Sequence, residues 1–434
     1  MTTSHGTGPL RLGIAGLGTV GAGVIKIIQR RADLLAARTG REIQVVAISA
    51  RNRDKDRGVR LSGYDWEDDP IALARRDDID LFVELMGGSD GPAKVATETA
   101  IATGKDVVTA NKAMLALHGQ ALATAAEEAG VALRFEAAVA GGIPVVKALT
   151  EGLAGNEVQR VMGVMNGTCN YILTRMESAG LPYDEVFEEA NALGYLEADP
   201  TLDVGGIDAG HKLSLLSSIA FGTQVDFPAV ELEGIQRIEF ADIEQARDMG
   251  YRIKLLGVTQ MTGRGLEQRM SPCLVPADSP LGQLEGGTNM VVLEGDAVGQ
   301  IVMRGAGAGE GPTASAVLSD ILDIARGIRV STFGQPASSL QKPKPAKAAA
   351  PAAFYLRMQL QDKPGALARV ATALGEAGVS INRMRQYSHH AEGTAPVLFV
   401  THKCPRAALD AALSGMSRTG VVEGEPVAIR IEEV

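Results

Sequence analysis

The sequence predicts an α/β protein in three parts: a doubly wound parallel sheet, an α+β domain after it, and a small α/β unit at the C-terminus. Three observations carry this. Over residues 10–135 short apolar runs alternate with helical repeats, the order that builds a parallel sheet with crossover helices. Residues 136–335 mix strand and helix patterns without that regularity. Residues 335–353, QPASSLQKPKPAKAAAPAA, hold Pro, Ala, Lys and Ser with no apolar period, and are expected to link rather than to pack. The 434 residues suit such a plan at roughly 100–200 residues per domain.

The elements follow in order. Apolar runs at 10–15, 44–48, 81–86, 106–109 and 131–135 are expected to be buried strands. Between the first two, Val20, Val24, Ile27 and Ile28 fall on one helix face. Helices are expected over 92–103, stopped by Gly104, and 113–129, stopped by Gly130. In the middle part, helices are expected near 143–154, 168–178, 183–193 and 206–221, and strands at 157–165, 253–261 and 298–304. A late helix is expected at 312–326. The resulting boundaries are 1–136, 137–334, a linker at 335–353, and 354–434.

Composition excludes several classes. The net charge of −10, from 42 basic and 52 acidic residues, argues against a nucleic-acid partner. The three cysteines, Cys169, Cys273 and Cys404, are scattered and form no CxxC pair, which excludes a disulfide framework and a cysteine-rich zinc site. His118 and the pair His389-His390 follow no metal-ligand pattern. The first residues lack the charged start and apolar core of a secretory signal, and no uncharged apolar run approaches the ~18 residues that span a bilayer. The expectation is a cytoplasmic protein without a membrane partner.

Gly16-Leu17-Gly18-Thr19-Val20-Gly21 is a GxGxxG motif between an apolar strand and a helix, the setting of a Rossmann-type dinucleotide site. The first glycine permits the tight turn, the second lets the pyrophosphate approach, and the third lets helix and strand pack closely. NAD sites usually place a carboxylate at the end of the second strand for the ribose 2′-hydroxyl. Here Ser49 is followed by Ala50-Arg51-Asn52-Arg53-Asp54-Lys55, so a 2′-phosphate, hence NADP, is favoured with Arg51 as its partner. A solvated basic loop is the plainer alternative.

The densest polar stretch, 194–212, holds Glu197, Asp199, Asp203, Asp208, His211 and Lys212. Asp208 and Lys212 share a helix face, and the apolar residues that follow imply a buried helix. A buried lysine beside carboxylates can act as a proton donor, although spacing alone also fits an ordinary surface ion pair. The run from Ala190 to Lys212 resembles the homoserine dehydrogenases, through Asp199-Pro200, Asp203-Val204-Gly205-Gly206-Ile207-Asp208 and Lys212. GLGTVG at 16–21, TANK at 109–112, EAAVAGGIP at 136–144, MNGTCNYIL at 165–173 and GAGAGEGPTA at 305–314 are similar to the same family.

The resemblance implies reversible hydride transfer between aspartate-4-semialdehyde and homoserine, in the synthesis of threonine, methionine and isoleucine. It implies Lys212 as proton donor, with Glu197, Asp208 and Gly194 at the substrate, and Asn166, Thr168 and Asn170 lining the cleft. It places Lys112 between cofactor and substrate, brings Gly309 to the cofactor by its backbone and packs the helix at 312–326 back onto the first part. It also implies a structural monovalent cation, Na⁺ or K⁺, held by Glu136 and the carbonyls of Val139, Gly141 and Ile143; a glycine-rich turn before a helix is the alternative there. A homodimer or homotetramer is expected. Two other functions remain open: an acylating semialdehyde dehydrogenase using Cys169, with His211 as a conceivable base, and a non-catalytic NADP and amino-acid sensor.

Residues 354–434 resemble an ACT domain, of ferredoxin-like βαββαβ order. The match is Gln361-Asp362-Lys363-Pro364-Gly365-Ala366-Leu367 and Gly378-Val379-Ser380-Ile381-Asn382. A strand at 355–360 and a helix at 366–377 are expected around the first run. The resemblance implies an amino-acid effector, with threonine the natural guess, or a unit that only dimerises. If it regulates without catalysing, truncation near Pro336 is expected to leave an active enzyme.

Overall fold

The computed structural model describes residues 8–196, 199–386 and 393–434. Its first sheet contains β1 (Leu10–Ala15), β2 (Ile43–Ser49), β3 (Asp65–Trp66), β4 (Leu81–Glu84), β5 (Asp106–Thr109) and β6 (Leu133–Arg134). All six run parallel in the order β3-β2-β1-β4-β5-β6. This is the doubly wound sheet that the alternation of patterns predicts. The chain leaves β1 in opposite directions toward β2 and β4, and the crevice at that switch point is where such sheets bind ligands.

Local chemistry shapes the crevice. β4 stops at Glu84, short of the predicted 86, because the buried Glu84 carboxylate accepts from the amides of Met86 at 2.7 Å and Gly87 at 3.2 Å and turns the chain. Asn111 caps the helix Lys112–Ala129 by accepting from the Met114 amide at 3.1 Å. Its amide group donates to Gly88 O at 2.7 Å, so Lys112 enters the crevice as the first residue of an anchored helix.

The second sheet contains β7 (Val158–Val164), β8 (Glu231–Leu232), β9 (Tyr251–Thr262), β10 (Gly265–Pro276), β11 (Thr288–Gly295) and β12 (Gly299–Ala306). It continues into β13 (Ala353–Gln361), β14 (Ile381–Gln386), β15 (Thr394–Thr401) and β16 (Val422–Ile431). The order is β12-β11-β7-β9-β10-β16-β13-β15-β14, with β8 beside β10. The helix Ile207–Phe221 packs its apolar face on this sheet through Leu213 and Leu216. The helix Glu310–Ala325 returns to the first domain and shares a core with the helix Thr19–Thr39. A Cβ on Gly23 would lie 2.9 Å from the Glu310 carbonyl, so this close approach needs glycine.

The C-terminal unit has the βαββαβ order, with helices Ala366–Glu376 and Arg406–Arg418 on one face. It is not tethered by a free linker. β16 pairs in parallel with β10 through Cys273 opposite Arg430 and Leu274 opposite Ile431. Within 335–353, Ala337 and Leu340 are buried, and the amide of Gln341 donates to Gly222 O at 3.0 Å. Composition predicts no core there. Three buried apolar side chains, Ala352 among them, and a few backbone hydrogen bonds are enough to hold the segment down.

Candidate active site

Both domains face a cavity of about 500 Å³. Val20, Ala110, Lys112 and Thr313 line it from one side, and Asn166, Thr168, Gly194, Tyr195, Asp203, Asp208 and Lys212 from the other. Gly309 closes one edge, with Gly287 and Asn289 beside it.

Asp208 is the centre of the charge arrangement. Lys212 Nζ donates to Asp208 Oδ2 at 2.6 Å and to Met165 O at 2.9 Å. Lys112 Nζ lies 2.8 Å from the other carboxylate oxygen. Burial alone would raise the Asp208 carboxyl. The two ammonium groups outweigh burial and hold it well below the usual carboxylate range. Asn166 Nδ2 donates to Asp203 Oδ1 at 2.9 Å and lies 3.4 Å from Asp208 Oδ2. Its own carbonyl caps the helix Gly167–Ala179 through the Cys169 amide at 2.8 Å. Thr168 donates to Tyr195 O at 2.9 Å, which ties this helix to the Gly194 turn. Glu197 lies outside the described residues, as do His389 and His390.

The nucleotide end fits a dinucleotide by shape. A Cβ on Gly16 would lie 2.4 Å from the Leu85 carbonyl, and one on Gly21 would lie 2.1 Å from Gly16 O. Gly18 differs, because a Cβ there meets nothing within 4 Å. Its lack of a side chain leaves open space at the start of the helix Thr19–Thr39, which has no side-chain cap. An open, uncapped helix N-terminus suits a pyrophosphate. Leu17 is buried, while Thr19 and Val20 begin the helix. Arg51 is exposed on the loop after β2. Arg57 was not singled out in the sequence, yet its Nε donates to Leu17 O at 2.9 Å and its Nη2 to Asn52 O at 2.5 Å. It thereby fastens the basic loop to the glycine turn. Arg53 and Arg57 lie 5.7 and 5.8 Å from the Trp66 ring centre.

Glu136 is buried, and its two oxygens accept from the amides of Val146 at 3.0 Å and Lys147 at 2.8 Å. Burial, reinforced by Asp320, pushes its carboxyl up to about 7. Val139, Gly141 and Ile143 follow in the adjoining turn, where Ala140 and Gly141 take left-handed φ of 55° and 57°. One carboxylate and backbone oxygens form a donor set suited to a hard monovalent cation. Among the described residues no cluster of three or more His, Cys, Asp or Glu is placed to hold a metal.

Cys169 does not suit nucleophilic work. It is fully buried, its thiol lies 3.3 Å from Asp203 O, and burial pushes its pKa well up. Burial likewise pushes His211 down, and its ring lies 4.2 Å from that of Phe227.

Asn170, expected to line the cleft, is buried outside the cavity lining and donates to Gly286 O at 2.7 Å. One supporting residue, Lys254, lay outside the sequence reading. The buried Lys254 donates to Asn170 Oδ1 at 3.0 Å and also to Leu284 O. Together they fix the loop that brings Gly287 and Asn289 to the cavity. Nothing in the local pattern around Lys254 points to this, because its partners are 84 and 30 residues away.

A dinucleotide cradle opening onto a lysine–carboxylate–lysine cluster defines a nicotinamide-dependent oxidoreductase. The sequence family described as "Homoserine dehydrogenase, NAD binding domain" matches residues 16–136, and "Homoserine dehydrogenase" matches 144–322. "ACT domain" matches 354–414. A homoserine dehydrogenase of Neisseria gonorrhoeae is 41% identical over 98% of this chain and 99% of its own. The crystal structure of a homoserine dehydrogenase from Thiobacillus denitrificans superposes with a TM-score of 0.92 at 39% identity, covering 98% of each chain. A hyperthermophilic archaeal homoserine dehydrogenase in complex with NADPH covers 73% of this chain and 97% of its own, with a TM-score of 0.61 at 27% identity. The chain belongs to the homoserine dehydrogenase family. Among its described residues no helix is long and apolar enough to cross a membrane.

Proposed function

We propose that the chain interconverts L-aspartate-4-semialdehyde and L-homoserine reversibly, with NADP preferred over NAD. The observation that carries this is the Asp208 carboxylate held between Lys112 and Lys212 in the wall of the shared cavity. The bound nicotinamide supplies or accepts the hydride. The Lys212 ammonium donates a proton to the aldehyde oxygen as negative charge develops there. Asp208 orients both lysines and, with Glu197, receives the substrate ammonium. Lys112 stands between the two ligands. Asn166, Thr168 and the Gly194 turn shape the pocket. Gly16 to Gly21 and Gly309 hold the dinucleotide by backbone, and Arg51 meets the 2′-phosphate.

The same reading assigns function by domain: nucleotide binding to 1–136, catalysis to 137–334 and amino-acid regulation, with threonine as effector, to 354–434. A monovalent cation at Glu136 would offset the buried charge of Glu136 and Asp320 and brace the turn at Gly141. A homodimer or homotetramer is supported by β12, which ends the sheet with Val302 exposed. The three buried free cysteines suit a reducing cytoplasm.

The test is homoserine-dependent reduction of NADP, read from the absorbance of the reduced nicotinamide, beside the same assay with NAD. Turnover with homoserine and none with phosphate plus the semialdehyde is the expected result. Phosphate-dependent acylation, or binding of NADP without turnover, would overturn it.

A further inference from the structure

Asn289 lies in the wall of the cavity shared by the two domains, as the second residue of β11 and opposite Gly305 of β12. It is 1% exposed, and its Oδ1 is buried and accepts from no donor among the described residues. A buried carbonyl oxygen without a donor is uncommon and costly. The Asn166 amide in the same wall is satisfied on both sides: it donates to Asp203 and accepts from the Cys169 amide.

The chain is shaped to hold the Asn289 amide in place. A Cβ on Gly307 would lie 2.0 Å from Asn289 Nδ2 and 2.2 Å from its Cγ, so the side chain can lie there only because position 307 is glycine. On the opposite side, a Cβ on Gly167 would lie 3.5 Å from Asn289 Oδ1. The segment that leads into β11 is held by Asn170 at Gly286 O and by Lys254 at Leu284 O.

The surroundings distinguish between donors. From Gly305 the chain passes Gly307 to Gly309 and enters the helix Glu310–Ala325. Lys26 Nζ donates to both Glu310 oxygens at 3.0 Å, which ties this end of the loop to the helix that begins at the glycine motif. The Asn289 amide therefore adjoins the nucleotide side of the cavity. The other side carries Asp203 and Asp208, whose negative charge suits an ammonium. A neutral acceptor suits a neutral donor, and the carboxamide of a nicotinamide ring has an N–H₂ group to give.

We propose that Asn289 Oδ1 accepts a hydrogen bond from the nicotinamide carboxamide and thereby sets the rotation of the ring against the wall at Gly307. The proposal rests on the reading of this cavity as a nicotinamide and homoserine site. Asn289 is a positioning residue there: it orients the reactive end of the cofactor and transfers nothing.

The test compares the binding of NADP⁺ with that of its acetylpyridine analogue, in which a methyl group replaces the carboxamide nitrogen. The analogue can accept a hydrogen bond at that position but cannot donate one. By calorimetry on the full-length protein, the parent should bind the analogue about 5–150-fold more weakly than NADP⁺, the range for leaving a buried acceptor unpaired. Asn289→Leu should bind NADP⁺ as weakly as the parent binds the analogue, with its KM for homoserine unchanged. Asn289→Ala, which adds no bulk, should lose the preference in the same way, and Asn289→Asp, which keeps an acceptor, should retain it. A parent that binds NADP⁺ and oxidises homoserine but takes both cofactors alike overturns the assignment and leaves the functional reading standing. A preference that survives in the leucine and alanine variants while KM for homoserine rises gives this oxygen to the substrate ammonium and also overturns it. A parent that binds neither cofactor overturns the functional reading, and the proposal with it.

Discussion

Replacing Lys212 by methionine separates chemistry from architecture. The side chain is 11% exposed, and an ammonium has three donors, of which Asp208 and Met165 O take two. In the proposed mechanism the third serves the aldehyde oxygen. Methionine keeps much of the volume and removes every donor. Breaking a buried ion pair by deleting one partner usually costs about 3–5 kcal/mol, because the other charge is stranded. Here Asp208 keeps Lys112 at 2.8 Å, so the loss of stability should fall below that range. The chemical step should suffer more. Loss of general acid catalysis slows turnover about 10²–10⁴-fold, which is about 3–5 kcal/mol in the barrier. The assay is initial-rate homoserine oxidation, beside NADPH binding and the melting temperature. Turnover should collapse while NADPH affinity holds and the protein melts as a folded species. Lys212→Arg keeps the charge on a group that does not give up its proton, and should rescue stability without rescuing turnover. If the folded methionine variant turns over within about tenfold of the parent, Lys212 is not the proton donor.

Four further expectations can be checked with the same protein. Arg51→Ala should weaken NADPH about 10–150-fold and NADH little; equal losses in direct binding would mean that Arg51 does not reach the 2′-phosphate. Burial lowers the Lys254 pKa from 10.5 to about 8, so between those values the unfolded chain binds more protons than the folded one, and stability should rise with pH across that window. Melting curves of Lys254→Met should lack this rise, and its KM for homoserine should increase as the 284–287 loop loosens; an unchanged slope would remove Lys254 as its source. Exchanging Na⁺ or K⁺ for a bulky organic cation should lower the melting temperature of the parent but not of Glu136→Gln, and a parent indifferent to the exchange has no such cation site. Truncation before Pro336 should cost solubility and several degrees of melting temperature, and a truncated enzyme as stable as the parent would mean that the junction contacts contribute nothing.

How much was legible follows from where each signal sits. The first sheet and its glycine turn are local in sequence, so apolar period and GxGxxG suffice to place them. Asp208 and Lys212 are four residues apart on one helix, and their pairing could be drawn from spacing. Lys112 comes to the same carboxylate from another domain, and only the resemblance pointed to it. β10 was missed for a different reason. Near its start it reads Glu267-Gln268-Arg269, a polar run with no apolar alternation, yet all three are buried. They are polar because their partners arrive from elsewhere: Arg269 meets Glu267 at 2.9 Å and also Glu432, and Glu267 meets Gln260 at 2.9 Å.

The same buried charges explain why a unit that looks separable in sequence is fused in structure. Glu432, just after the last strand, is shared by Arg269, Arg430 and Arg160, the last at 2.6 Å. Across the sheet Arg357 meets the fully buried Asp242 at 2.5 Å, and the Tyr355 hydroxyl donates to Gln245 Oε1 at 2.8 Å. Cutting the chain at 336 therefore takes Glu432 from Arg269, which keeps Glu267, and Arg357 from Asp242, both on the catalytic side. A stranded buried charge is far more costly than a lost pair of surface charges. In this chain the catalytic architecture places charges where the C-terminal strands cover them. A sensor attached by a flexible tether can report its state only by docking and undocking. One whose strand continues the catalytic sheet stays in contact with it at all times, so a shift at the junction would bear on that sheet directly.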